Sequence, residues 1–172
     1  MSTTNFTFKL TVVGNGSVGK TSLINRFVNN KFENSYIETV GIDMFETDVI
    51  LEDESSARLL IYDLGGQQYW SKLRSSFYQR ARGCIMVYDV SKPETFTALE
   101  EWYKEVRENI GYEVPIVVIG NKTDLENKVS NKQIDELKSK FEFTFLQTSA
   151  KTGQMVNQAF ETICFQIKNK FS

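Results

Sequence analysis

The sequence predicts an α/β fold, with a six-stranded, mostly parallel sheet, one antiparallel strand and helices on both faces. Three observations carry this. Strand-like and helix-like segments alternate along the chain, as they do where parallel strands are joined by crossover helices. The segments Cys84-Ile85-Met86-Val87-Tyr88 and Ile116-Val117-Val118-Ile119 are almost wholly apolar, which suits central strands covered on both sides. Residues 40–51 alternate, turn through Asp53-Glu54-Ser55-Ser56 and return over 58–62, the pattern of an antiparallel hairpin.

The elements follow in order. A strand is expected over 8–13 and a helix over 20–30. The hairpin comes next, then strands over 83–89 and 115–120, with a last one over 143–146. Phe96, Leu99, Trp102, Tyr103 and Val106 recur at helical spacing, so 93–109 reads as one helix packed on a core. Ile134 and Leu137 mark a helix over 130–140. Val156, Ala159, Phe160, Ile163, Cys164 and Ile167 line one face of a helix over 155–168. There are no repeats or linkers, and 172 residues suit one domain spanning 1–172.

Composition excludes several functions. With no histidine, the chain has no histidine triad, histidine zinc site or histidine pH switch. A net charge of −2 gives no electrostatic basis for binding nucleic acid. Cys84 and Cys164 lie in apolar stretches and read as buried intracellular thiols. No signal-peptide pattern, membrane-length apolar run or terminal cysteine is present. The expectation is a cytoplasmic protein, peripheral on intracellular membranes only through a lipidated tail or a partner.

The chemistry concentrates in motifs that follow strands. Gly14-Asn15-Gly16-Ser17-Val18-Gly19-Lys20-Thr21 fits G-x-x-x-x-G-K-[ST] behind an apolar run. In this pattern glycines let backbone N–H groups point inward at phosphates, and a helix N-terminus adds its dipole. The lysine supplies a mobile charge and the hydroxyl can ligate Mg²⁺. Alone, the motif also fits a glycine turn between strand and helix. Asp63-Leu64-Gly65-Gly66-Gln67 ends the third strand. There Asp63 can hold Mg²⁺ through water, Gly66 can present its N–H to a terminal phosphate, and Gln67 can orient an attacking water. Asn121-Lys122-Thr123-Asp124 follows the fifth strand. A carboxylate at Asp124 can accept from guanine N1 and its 2-amino group, Asn121 can bond the base or brace the loop, and the stem of Lys122 can cover the ring. After the sixth strand come Ser149-Ala150-Lys151, where the Ala150 N–H can meet guanine O6 and Lys151 can pack on the base opposite Lys122.

With these motifs in order, the chain resembles the Ras superfamily of small GTPases from about 8 to 167. It is most similar to the Rab branch through Val40-Gly41-Ile42-Asp43-Met44, Tyr69 to Gly83 and Met86 to Ser91. The resemblance implies the P-loop NTPase G-domain fold. It implies Mg²⁺ on Thr21, Thr39 and Asp63, and phosphate contacts from Gly14, Gly16, Ser17, Val18, Gly19, Lys20, Thr21 and Ser22, with Gly66 sensing the γ-phosphate. Phe32 would lie beside the base and Tyr36 over the phosphates, and Gln67 with Lys20 would serve hydrolysis. Asn121, Lys122, Asp124, Ser149, Ala150 and Lys151 would hold guanine. Met44, Tyr62 and Phe77 would form the surface that effectors read.

The implied function is a GTP/GDP switch with Mg²⁺ and slow hydrolysis, in vesicle trafficking or membrane-associated signalling. A monomer served by an activating protein, an exchange factor and effectors is expected. Leu64-Gly65 departs from the Rab pattern toward the Arf branch, and the added glycine should loosen this segment. That motivates the alternative of a GTP-binding interaction module with little turnover.

Overall fold

The computed structural model describes residues 4–33 and 39–172. Among these residues six strands form one sheet: β1 (Thr4–Val13), β2 (Ile42–Ile50), β3 (Ser56–Leu64), β4 (Gly83–Asp89), β5 (Ile116–Asn121) and β6 (Thr144–Gln147). Their order is β2-β3-β1-β4-β5-β6. β2 pairs antiparallel with β3, and every other pair is parallel. Helices are α1 (Lys20–Asn29), α2 (Ser71–Phe77), α3 (Pro93–Thr97), α4 (Leu99–Ile110), α5 (Asn131–Lys140) and α6 (Val156–Phe171).

Strand residues divide by period two between two cores. Leu10, Val12, Ile85, Val87, Val117 and Ile119 pack under α1 and α6 with Leu23, Phe160 and Ile163. Val13, Met86, Tyr88, Ile116 and Val118 pack on the other face with Leu99, Trp102, Val106, Ile134 and Leu137. Both sides of the central strands are therefore covered, which is why β4 and β5 read as unbroken apolar runs. α5 starts where Ser130 and Gln133 form a reciprocal capping box, with Gln133 N–H donating to Ser130 Oγ at 3.2 Å and Ser130 N–H to Gln133 Oε1 at 3.0 Å.

Two elements differ from the sequence expectation. Helix α2 has no predicted counterpart, because its one deeply buried residue is Arg74 and it carries no apolar stripe. The single helix expected over 93–109 is interrupted at Ala98, which stays right-handed (φ −67°, ψ −14°).

The register decides where the site lies. Val12 aligns with Asp63, Val13 with Met86, Asp89 with Asn121 and Gly120 with Gln147. The carboxyl ends of five parallel strands therefore share one edge, where α/β sheets bind ligands.

Candidate functional site

The phosphate loop leaves β1 at Gly14, whose φ of +140° and closeness to β4 both demand glycine: a Cβ there would lie 2.2 Å from Val87 O. Gly19 (φ +97°) is equally constrained, since a Cβ would lie 2.4 Å from Asn121 Nδ2. Gly19 caps α1 without a side-chain hydrogen bond, leaving the first-turn amides to an anion. Lys20 opens α1 and is buried, its Nζ donating to Gly14 O and Asn15 O, both at 2.8 Å. Burial pushes the Lys20 ammonium down to about 8, although the Asp63 charge opposes this.

Thr21 of α1, Thr39 of the loop before β2 and Asp63 of β3 meet. The two hydroxyls are 2.8 Å apart, Thr39 donates to Asp63 Oδ2 at 3.2 Å, and Thr21 donates to the same oxygen. Asp63 is fully buried and its Oδ1 has no hydrogen-bond partner among the described residues. Burial, the largest influence on Asp63, raises its pKa above the usual carboxylate value, against the opposing Lys20 charge. One carboxylate and two hydroxyls with an unsatisfied buried oxygen fit a hard divalent cation that completes its shell with water and phosphate oxygens. Among the described residues no cluster of three acidic, thiol or imidazole groups offers another metal site.

Gly66 touches the phosphate loop so closely that a Cβ would lie 2.5 Å from both Gly14 O and Gly16 N. Gly65 corrects the expectation of a loosened hinge. It is buried, its N–H donates to Gly41 O at 2.8 Å, and a Cβ would lie 2.7 Å from that oxygen. The glycine permits close packing of two loops.

Arg74, which in the sequence resembles the exposed Arg80 and Arg82, is 1% exposed. Its guanidinium donates to Gly65 O and Gln67 O, both at 2.8 Å, and grips Glu105 on α4 at 2.7 and 2.9 Å. It also lies 4.6 Å from the Trp102 ring, whose Nε1–H donates to Asn15 Oδ1 at 2.8 Å. The segment carrying Gln67 is thus held by its own backbone, and Gln67 lines the cavity. No local pattern distinguishes Arg74, because its burial comes from α4 packing across it.

On the other side, Asn121 joins three segments. Its Nδ2 donates to Val18 O at 3.0 Å, and its Oδ1 accepts from Thr148 Oγ1 at 3.0 Å and Ala150 N at 3.2 Å. Lys122 Nζ donates to Ser17 O at 2.7 Å and pairs with Asp89 Oδ2 at 3.0 Å. Burial opposes the charge on Asp89, but the Ser91 hydroxyl and Lys122 outweigh it and hold that carboxyl below its ordinary value. Ser149 Oγ donates to Asp124 Oδ1 at 2.6 Å, fixing an otherwise exposed carboxylate. Sequence reasoning missed Asp89 and Arg26. Arg26 reaches the loop after β6 from α1.

One cavity of about 750 Å³ joins these parts, within the range of a small-molecule site. Gly16, Ser17, Gly19, Lys20, Thr21, Ser22, Phe32, Thr39, Gly66 and Gln67 line it, as do Asn121, Lys122, Asp124, Ala150 and Lys151. Gly14, Val18, Asp63 and Ser149 stand behind that wall and brace it. Tyr36 lies outside the described residues. Away from the cavity, Met44 is 63% exposed and faces Tyr62 across the β2–β3 pair, while the Tyr62 and Phe77 rings lie 5.8 Å apart. The three residues expected to form a partner surface are therefore adjacent.

The sequence model of the Ras family matches residues 9–169. Ras-related protein Rab-13 of Bos taurus is 36% identical over 162 residues, covering 93% of this chain and 79% of that protein. Ras-related protein Rab-3C of Bos taurus is 32% identical over 170 residues, covering 98% and 74%. Ras-related protein Rab-11A of Dictyostelium discoideum is 33% identical over 165 residues, covering 95% and 77%. The phosphate loop, the carboxylate–hydroxyl cluster and the family match converge, and the chain belongs to the Ras family as a Rab-like small GTPase, an enzyme that hydrolyses GTP to GDP.

Proposed function

We propose that this chain is a single-domain, Mg²⁺-dependent guanine-nucleotide switch that hydrolyses GTP slowly and acts in vesicle trafficking, peripherally on intracellular membranes. The observation that carries this is the continuous cavity, which unites a phosphate loop, a cation-suited oxygen cluster and a loop bearing Asp124. No helix among the described residues is long and apolar enough to cross a membrane; the attachment proposed is through a lipidated tail or a partner.

The residues divide the work. Backbone amides of Gly16 to Thr21 and the Lys20 ammonium bind the phosphates. Thr21, Thr39 and, through water, Asp63 would hold Mg²⁺, which when bound neutralises charge on the β- and γ-phosphates. Asp124 accepts from guanine N1–H and the 2-amino group, and the stems of Lys122 and Lys151 cover the ring. Gln67 orients the attacking water. Thr39 and Gly66 hold their loops to the γ-phosphate, and its loss releases both. Among the described residues no arginine lines the cavity beside Gln67, which supports unaided rates on the order of 10⁻⁴ to 10⁻² s⁻¹ and acceleration by a partner's arginine of roughly 10³- to 10⁵-fold. An exchange factor and effectors at Met44, Tyr62 and Phe77 complete the cycle.

The close packing of Gly65 against Gly41 supports the hydrolysing switch over the low-turnover alternative. The deciding experiment is displacement of labelled GDP. GTP and GDP are expected to compete and ATP to fail at a large excess. Equal displacement by ATP would overturn the guanine assignment.

A further inference from the structure

Arg26 lies in the second turn of α1, on the helix that opens with Lys20 and Thr21. Its guanidinium spans to a loop more than a hundred residues away, donating from Nε to Ala150 O at 2.8 Å and from Nη2 to Lys151 O at 2.6 Å. These are the carbonyls of two successive peptide planes, and between them they bracket residue Lys151. A planar guanidinium bonded to both fixes the backbone there, and with it the direction in which the Lys151 side chain leaves. One peptide upstream, the Ala150 N–H is held by Asn121 Oδ1 at 3.2 Å. Ala150 is therefore clamped from both sides, by Asn121 on the β5 side and by Arg26 on the α1 side.

The arginine itself stands on a rigid base. Its neighbour Phe27 stacks on Phe160 of α6 with ring centroids 4.2 Å apart and planes within 2°. The Arg26 stem runs beside Gly153, where an added Cβ would lie 3.8 Å from Arg26 Cδ. The guanidinium lies 6.0 Å from the Phe32 ring, which lines the same cavity. An α-helix rises about 1.5 Å per residue, so Lys20 and Arg26 sit about 9 Å apart along one axis. One stiff element thus reaches the phosphate end of the cavity with its first turn and the base end with its second.

We propose that Arg26 is a positioning residue for guanine. By bonding the Ala150 and Lys151 carbonyls it sets the loop whose Ala150 N–H, shared with Asn121 Oδ1, meets the 6-oxo group and whose Lys151 covers the ring, in register with the phosphate grip of the same helix. The inference rests on the guanine reading above and adds to it a residue that touches neither base nor phosphate.

The test compares dissociation of GDP with that of 6-thio-GDP, in which sulfur, a weak acceptor, replaces O6 while N1–H and the 2-amino group remain. Arg26→Met keeps the stem and removes both donors, and Arg26→Lys keeps the charge but cannot fork. In the unmodified protein GDP is expected to leave more slowly than the thio analogue. In Arg26→Met, GDP release is expected to quicken about tenfold, a fraction of the worth of the two lost charge-assisted hydrogen bonds because Arg26 acts on the nucleotide only through the loop, and the preference for GDP over 6-thio-GDP to shrink toward one. Arg26→Lys is expected to recover less than half of that preference. If both nucleotides leave faster by the same factor, or neither changes, Arg26 is a stability residue and the proposal is overturned. Equal release of the two nucleotides by the unmodified protein also overturns the proposal, whereas failure of the underlying reading has a different signature: ATP would displace GDP from the unmodified protein as well as GTP does.

Discussion

Asp124→Asn is expected to transfer the preference of this GTPase from guanine to xanthine. The Asp124 carboxylate is held by the Ser149 hydroxyl at 2.6 Å, so it faces the cavity in a set orientation. Guanine offers two donors on that edge, N1–H and the 2-amino group, and a carboxylate accepts both. An amide accepts one and meets the other with a donor of its own. Two charge-assisted bonds of about 1.5–3 kcal/mol each are at stake, so GDP affinity should fall by roughly 10²- to 10⁴-fold. Xanthine carries an oxygen where guanine carries the amino group, and the introduced side-chain amide can donate to it. XDP should therefore displace labelled nucleotide from the variant better than GDP does. A loss for GDP with no gain for XDP would mean that Asp124 shapes the loop without inspecting the base.

Gln67→Leu should slow GTP hydrolysis by about 10²-fold or more while leaving nucleotide affinity within about threefold, because positioning and activating a nucleophile is worth about that much. The main risk in such a change is that the segment moves. Here it is pinned by its own carbonyl, which accepts from Arg74 at 2.8 Å, and by Arg74 bonding Gly65 O at the same distance. Arg74 is in turn held by the two oxygens of Glu105. Leucine replaces only the half-exposed side chain. Single-turnover hydrolysis, with and without an activating protein, measured beside GDP dissociation separates chemistry from binding. An unchanged rate in both conditions removes Gln67 from the reaction.

Motifs were legible wherever the backbone itself performs the task. Gly14 and Gly19 need positive φ and contact with β4 and Asn121, and a glycine pattern records such needs locally. Asp63, Asn121 and Ser149 stand at or just beyond strand ends whose register aligns them, so an alternating β/α order already implies that they meet. Residues that act by reaching across the fold were not legible. Arg74 and Arg80 stand six residues apart in the same polar stretch, yet one is enclosed by α4 and the other is exposed. Asp89 ends a strand that reads as apolar core, and only its pairing with Lys122 at 3.0 Å reveals a role. Gly65 illustrates the opposite error. A glycine doublet suggests freedom, whereas the approach of Gly41 O gives this one a steric reason.

The sequence by itself determined the α/β order, the phosphate loop, the acidic and hydroxyl donors and the membership that follows from them, because each depends on residue type at short spacing along one strand and its turn. Only the tertiary structure decided how those parts are braced. Arg26 on Ala150 and Lys151, Arg74 on Gly65 and Gln67, and Lys122 between Asp89 and Ser17 are contacts across 7 to 125 positions. A long cation finds its carbonyls through the packing of helices on a sheet. That packing is set by the whole set of buried side chains and by no window of sequence around the cation.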